Sequence, residues 1–292
     1  MQDIKYTKLG DDFFRGMRNP LTPTKLAQLA ELAEKIPLSE QLGTFINEEH
    51  YLQTYNLLFQ STIGPRMLGY LFLKEILPKI KTKNNLLEVG VGSGVFLKWY
   101  GKKFSEITVI DNSKTILENL NFKNKILPSK TNLNKRCEII ENASLPENYF
   151  DFCVLSHVLY YVKRDQWSEL ISNIYNSLKQ DGVIVIIFGD GYEGKAKLLW
   201  DFGEKTFDFN GFARACLSKY KGNMTMYNVA EDFHAKSLRH MLHIAGFLML
   251  DINVTTSREI LEEYIKINYE RNGYFLVTSQ LKILLIKKSR NF

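Results

Sequence analysis

The sequence predicts a doubly wound α/β fold: a mostly parallel, seven-stranded sheet with helices on both faces, preceded by an N-terminal helical appendage. Three observations predict it. Short apolar or β-branched runs alternate with amphipathic stretches from residue 85 to residue 188, as successive βαβ units require. The first run, ending in Leu86-Leu87-Glu88-Val89, passes straight into glycines at alternate positions, Gly90, Gly92 and Gly94, and then into a helix-like pattern from Val95. The second, Ile107-Thr108-Val109-Ile110, ends on an acid, Asp111. Strand, glycine turn, helix, strand and acid together form a nucleotide-gripping unit. Glycine admits the backbone conformations of a tight turn and lets a ligand lie against the main chain, and an acid ending the second strand can accept hydrogen bonds from ribose hydroxyls.

Composition bounds what surrounds this unit. A chain of 292 residues, 45% hydrophobic and 24% charged, holds one large domain or a domain with an appended lobe. Its strongly apolar stretches, such as Val183 to Phe188, fall far short of the roughly 20 residues a membrane helix needs. Charges at Asp3, Lys5, Lys8, Asp11, Asp12 and Arg15, with no apolar run between them, argue against a secretory leader, so the expected location is cytoplasmic. Cys137, Cys153 and Cys216 lack the spacing of a disulfide framework or zinc ribbon. The net charge of +6 comes partly from short lysine clusters and forms no basic stripe, so a nucleic acid is not the expected partner, nor, given the short apolar stretches, is a membrane.

In order along the chain, residues 1 to 20 read as irregular. Leu26, Leu29, Ala30 and Ala33 follow helical spacing after a Thr22 or Thr24 cap, with Pro37 as the stop. Further helices are expected at about Asn47–Gln60 and Pro65–Leu77, broken at Gly64-Pro65. Residues 1–83 thus form the helical appendage or lid, and 84–292 the ligand-binding domain, with Lys79 to Asn85 as a polar hinge. Arg136 to Ile140 supplies a third strand, Tyr149 to Ser156 a fourth, and Val183 to Phe188 a fifth that is apolar throughout, as a strand covered on both faces should be. A helix from about Arg164 to Leu178 stops at Gln180-Asp181-Gly182. The glycine- and aromatic-rich stretch from 189 to 233 reads as an insertion over the strand ends, a helix from Ala235 to Ala245 stops at Gly246, and strands at Phe247–Val254 and Leu281–Ile286 complete the sheet.

The third glycine distinguishes the ligand classes. A dinucleotide fingerprint would place glycine at position 95, where this chain has Val95. The arrangement Glu88-x-Gly90-x-Gly92-x-Gly94, followed by Asp111, resembles the class I S-adenosylmethionine-dependent methyltransferases, over about residues 85 to 188 and the final strands. That resemblance implies a Rossmann-like methyltransferase fold, S-adenosyl-L-methionine as cofactor and S-adenosyl-L-homocysteine as product. It implies cofactor contacts at Glu88, the three glycines, Asp111 with Asn112, Asn142 and Ala143 beside the adenine, and Ser156 at the end of the fourth strand. The motif by which amino-methylating nucleic-acid enzymes hold a flipped base is absent after that strand. Leu159-Tyr160-Tyr161-Val162-Lys163, the loop leading to Leu199-Trp200 and the last strand are similar to the histamine N-methyltransferase group of small-amine enzymes. The chain departs from that group at the uncharged Ser61-Thr62-Ile63-Gly64, where the group has a glutamate that receives the amine, and at Ser279, where it has an asparagine.

An amine acceptor must arrive unprotonated, which gives a base a role. His157 stands at the end of the fourth strand with an unperturbed pKa of about 6.5 and reads as that base, or as a substrate-orienting or structural group. Tyr160 is a candidate catalytic partner and, with Tyr161, a candidate for stacking on the acceptor. Trp200 and Phe207 are candidate pocket walls or lid packing, and Tyr51 and Tyr55, one helical turn apart, candidate covers from the N-terminal helices. His234, His240 and His243 lack a companion carboxylate, so no metal site is expected. The expected partner is a small-molecule acceptor, the expected state a monomer. A nicotinamide-dependent oxidoreductase and a non-catalytic cofactor-binding scaffold are the alternatives.

Overall fold

The computed structural model describes residues 5–7, 21–41, 43–120, 127, 130–190, 193–202, 209–220, 223–250 and 257–289. The glycine turn lies between β2 (Asn85–Val89) and α4 (Leu97–Tyr100), and β3 (Glu106–Asp111), followed by α5 (Lys114–Asn119), and β4 (Asn132–Cys137) continue the sheet on one side of β2. On its other side lie β5 (Phe150–Ser156), β6 (Leu178–Asp190), β11 (Gln280–Lys287), β7 (Met224–Ala230) and, at the edge, β1 (Lys5–Thr7). The order is β4-β3-β2-β5-β6-β11-β7-β1, with β11 antiparallel to β6 and β7 and every other pair parallel. A second sheet joins β8 (Phe233–Ala235), β10 (Tyr274–Val277) and β9 (Glu270–Arg271).

The central strands are apolar on both faces because both faces are covered. Leu86, Phe152, Val154, Val183 and Val185 pack with α3 (Gly64–Leu71), its π-helical continuation Phe72–Ile76 and α4 on one side. Leu87, Cys153, Leu155, Ile184 and Ile186 pack with α6 (Trp167–Ser177) and α8 (Phe209–Tyr220) on the other. The N-terminal helices α1 (Pro23–Lys35) and α2 (Glu48–Gln60) lie against α9 (Leu238–Leu248). Their starts were legible: the side chains of Thr22 and Asn47 cap them, and Pro23 occupies the first turn of α1. At the amino edge of the sheet, Asp151 accepts from the Asn84 and Asn85 main chains at 2.9 and 2.8 Å, from Thr82, and from Lys179 at 3.1 Å. The expected hinge is therefore tied to β5.

The structure corrects several expectations. Lys5–Thr7, read as irregular, is an eighth strand. The strand expected at Phe247–Val254 does not begin there: α9 runs through Gly246 to Leu248, Met249 and Leu250 turn, and 251–256 lie outside the described residues. Its place in the sheet belongs to β7, inside the stretch expected to be an insertion, with α7 (Glu193–Phe202) and α8 forming the crossover from β6. A single internal glycine costs a helix about 1 kcal/mol, and the contacts of Phe247 with Tyr51 and Tyr55 offset it. The strand β4 begins at Asn132, earlier than its apolar residues suggested, and α10 (Arg258–Tyr269) was not anticipated.

Candidate cofactor and acceptor site

The carboxyl ends of β2, β3, β5, β6 and β7 and the start of β11 share one edge of the sheet. Strand order reverses between β2 and β5, where an open α/β sheet leaves a crevice.

On the β2–β3 side, Gly90, Gly92 and Gly94 have φ of +65°, +50° and +69°, the left-handed region that favours glycine. A Cβ at Gly90 would stand 2.5 Å from Val158 Cγ2, and one at Gly92 3.0 Å from the Tyr55 hydroxyl. The turn thus needs glycine for conformation and for clearance. Asp111, largely buried, accepts from the Ser113 N–H at 2.9 Å and from the Gly92 N–H at 3.4 Å, which fixes its carboxylate beside the turn. Burial raises its pKa, opposed by these main-chain donors. Asn112 follows it, its carbonyl 3.8 Å from the Cys137 thiol. Asn142 and Ala143 close a 3₁₀ turn after β4, Asn142 N–H donating to Ile139 O and Ala143 N–H to Ile140 O, each at 3.1 Å. Ser156 ends β5 with its hydroxyl buried and without a partner among the described residues. Glu88 is 1% exposed and accepts from the Tyr100 hydroxyl of α4. Burial pushes its carboxyl up to about 8, against the pull of Tyr100, so at neutral pH it is mostly protonated. It supports the turn from within the core.

Helix α2 roofs this side. Tyr51 and Tyr55 lie nearly parallel at 6.1 Å, and both meet Phe247 of α9, at 5.5 and 5.8 Å. At the start of α2, Glu48 accepts from the Ser113 hydroxyl next to Asp111. Tyr55 thus stands at Gly92, and Tyr51 packs beside it with Phe247, a partner the sequence reading missed.

On the β5–β6 side, His157 has φ of +58° and donates its N–H to Ile187 O at 3.0 Å. Burial, and then the charge of Lys195, push its imidazole down to about 3. It is neutral and a weak base at neutral pH. The Tyr160 hydroxyl accepts from the Gly189 N–H at 2.5 Å and reaches Gly189 O at 3.3 Å. Its ring meets His157 at 5.9 Å and Phe188 at 5.6 Å. Tyr161 is half exposed, and Trp200 on α7 is 65% exposed, outside any packed wall. Phe207 lies outside the described residues. Sequence reasoning missed Glu231, directly after β7, and the buried Ser279 hydroxyl beside it. The acid pair Glu231-Asp232 was visible, but its place at the sheet edge depended on an unrecognised strand.

His240 and His243, clustered in the sequence, are instead structural: the first shares a hydrogen bond with Ser61 at 2.8 Å, the second with Ala33 O at 3.2 Å. Among the described residues no group of His, Cys, Asp and Glu could hold a metal ion, and no helix is long and apolar enough to cross a membrane.

Residues 87–186, from β2 to β6, match the family model of a methyltransferase domain. Over this stretch the chain is similar to methyltransferase domains. The fold agrees: a methyltransferase structure from Bacillus halodurans superposes with a TM-score of 0.53 at 11% identity, covering 72% of this chain and 94% of that one. The YcgJ protein of Bacillus subtilis superposes at 0.50 and 12%, covering 74% and 97%. No curated protein gives a significant sequence match. The cofactor of a class I methyltransferase domain is S-adenosylmethionine, and three features of the site fit it: a turn that a Cβ would block, a carboxylate held by main-chain donors at the end of β3, and an orphaned hydroxyl at the end of β5.

Proposed function

We propose that the protein moves a methyl group from S-adenosylmethionine to a small-molecule acceptor, a nitrogen nucleophile. The observation that carries this reading is the glycine turn roofed by Tyr55 and flanked by Asp111, a cleft shaped for a ribose and an aminoacyl group lying on the main chain. The cofactor supplies a methyl carbon already activated by a positive sulfur, so the protein has mainly to align the acceptor and exclude water. Asp111 would accept from the ribose hydroxyls, Asn142 and Ala143 would border the adenine, and the Ser156 hydroxyl would find its missing partner in the ligand. Tyr51, Tyr55 and Phe247 close the cleft from residues 1–83 and α9, the part we assign as a lid over the domain at 84–292. The protonated Glu88 keeps a fixed anion away from the turn. The neutral His157 orients the acceptor, and the Tyr160 ring, locked by Gly189, flanks it with Tyr161. The aromatic edge formed by Tyr160 and Phe188 supports an amine with an apolar body, as in the histamine N-methyltransferase group.

Calorimetry with S-adenosylhomocysteine tests the reading. Wild type is expected to bind, and Asp111→Ala to bind at least about 10-fold more weakly, the loss of charge-assisted hydrogen bonds worth about 1.5–3 kcal/mol. Absence of binding by wild type overturns it.

A further inference from the structure

We propose that Glu231 is the acceptor-amine site: its carboxylate receives the substrate's ammonium at the carboxyl edge of the sheet and takes its proton, with the Ser279 hydroxyl beside it. The proposal rests on the methyl-transfer reading and narrows its acceptor to a primary or secondary amine.

Glu231 follows β7 on the sheet edge where β5 ends at His157. It is 7% exposed, yet among the described residues its carboxylate accepts no hydrogen bond. A buried carboxylate without donors is costly, and such a group calls for an explanation. The Glu231 N–H donates to Ser279 O at 2.8 Å, which holds the two residues side by side, and the Ser279 hydroxyl is itself buried and has no partner among the described residues. A largely buried acid and an orphaned hydroxyl thus belong to neighbouring main-chain positions at the sheet edge.

The carboxylate lies at the start of α3, where a Cβ on Gly64 would stand 2.9 Å from Glu231 Cγ and 3.2 Å from Oε1. Capping of α3 does not explain it. The Gly64 N–H donates to Thr62 Oγ1 at 3.0 Å, Pro65 has no N–H, and Arg66 and Met67 donate to Ile63 O at 3.0 and 3.1 Å. Every N–H of that turn is taken. The glycine instead leaves room for the acid, and the bridge between Thr62 and Phe233 holds the α2–α3 junction beside it. This junction is the uncharged stretch Ser61 to Gly64.

The charged groups that bear on Glu231 are Lys195 from α7 and Asp232 on its own loop, while toward α3 it meets the uncharged Gly64. Burial pushes its carboxyl up to about 7, with Lys195 lowering it and Asp232 raising it. A group with that affinity both takes and returns a proton near neutrality, which His157 does not. In the proton step the ammonium N–H bond breaks and the carboxyl O–H bond forms, leaving a lone pair on nitrogen. That pair forms the N–C bond while the C–S bond breaks, its electrons going to sulfur. The products are the methylated ammonium and S-adenosylhomocysteine, and the carboxyl returns its proton to water.

The test titrates 2-phenylethylamine and butylamine, each against its alcohol, by calorimetry into protein saturated with S-adenosylhomocysteine. At least one amine is expected to bind 10-fold or more tightly than its alcohol. Glu231→Gln should weaken it by about 10-fold or more while leaving S-adenosylhomocysteine affinity within about 2-fold. Gly64→Ala, which crowds the carboxylate without removing it, should weaken amine binding in the same direction and covers the case in which Glu231→Gln fails to fold. Equal binding of amine and alcohol, no amine binding to the complex, or unchanged amine binding by the variants overturns the proposal alone. Failure of wild type to bind S-adenosylhomocysteine overturns the methyl-transfer reading with it.

Discussion

Glu88 and Glu231 are both buried carboxyls, and their partners separate their roles. Glu88 has a donor in Tyr100, whereas Glu231 accepts no hydrogen bond from the described residues. The folded-state pKa of Glu88, about 8, lies above its unfolded value, so its stabilising share is fully present below about pH 4.5 and lost as pH rises toward 8. Glu88→Gln removes that loss. Its stability relative to wild type should improve with pH between about 5 and 8, by up to about 1.4 kcal/mol per unit, in denaturant titrations at several pH values. A pH-independent difference would show that Glu88 is ionised in the fold. At this scale the glycines and Asp111 were legible because their function is local: a positive φ or a strand-ending acid leaves its mark in adjacent residues. Glu231 was illegible because its burial is made by Gly64 and Ser279, far away in the chain.

Among elements, buried histidines join α9 to the N-terminal helices α1 and α2. His240 is bonded to Ser61 at the end of α2 and His243 to Ala33 O in α1, while His50 in α2 accepts from the Ile46 N–H at 3.1 Å. Burial, with repulsion between His240 and His243, presses His240 down to about 4; burial does the same to His243, to about 4. Folded-state values below the unfolded 6.5 mean that the stability is present above pH 6.5 and lost as pH falls toward 4. Hydrogen exchange of α1, α2 and α9 should therefore accelerate between pH 6.5 and 4.5, with a loss on the order of a few kcal/mol, ahead of the central strands. Protection that holds across that range would sink the idea. The helices were legible through caps and spacing. The end of α9 was misread because Gly246 signals a stop locally, while the ring contacts of Phe247 that extend the helix are tertiary.

For the whole molecule, the strands read correctly were those buried on both faces, β2, β3, β5, β6 and β11, whose apolar runs need no context. Strand β7 lacks a clean alternation, with Met224, Met226, Tyr227 and Val229 all buried, and lies amid aromatics and glycines, and β1 is three residues long, so neither stood out. Because β1 covers the open edge of β7, deleting residues 1–7 should leave that edge unpaired and promote association. Sedimentation velocity over a range of concentrations is expected to show oligomers of the truncated chain that the full chain lacks, and identical profiles would argue that the edge is protected otherwise.

The pairing of Lys5–Thr7 with Thr225–Tyr227 also sets an order in time. The first strand of the chain waits, during synthesis, for one of the last, and β7 in turn pairs with β11, still later. The β2–β6 core can assemble early, but Glu231 reaches the sheet edge and α9 meets α1 and α2 only once β7, α9 and β11 have emerged. A nascent chain would thus carry the glycine turn before α9 braces the helix above it and before the proposed acceptor site exists, so the proposed cleft takes shape late in synthesis.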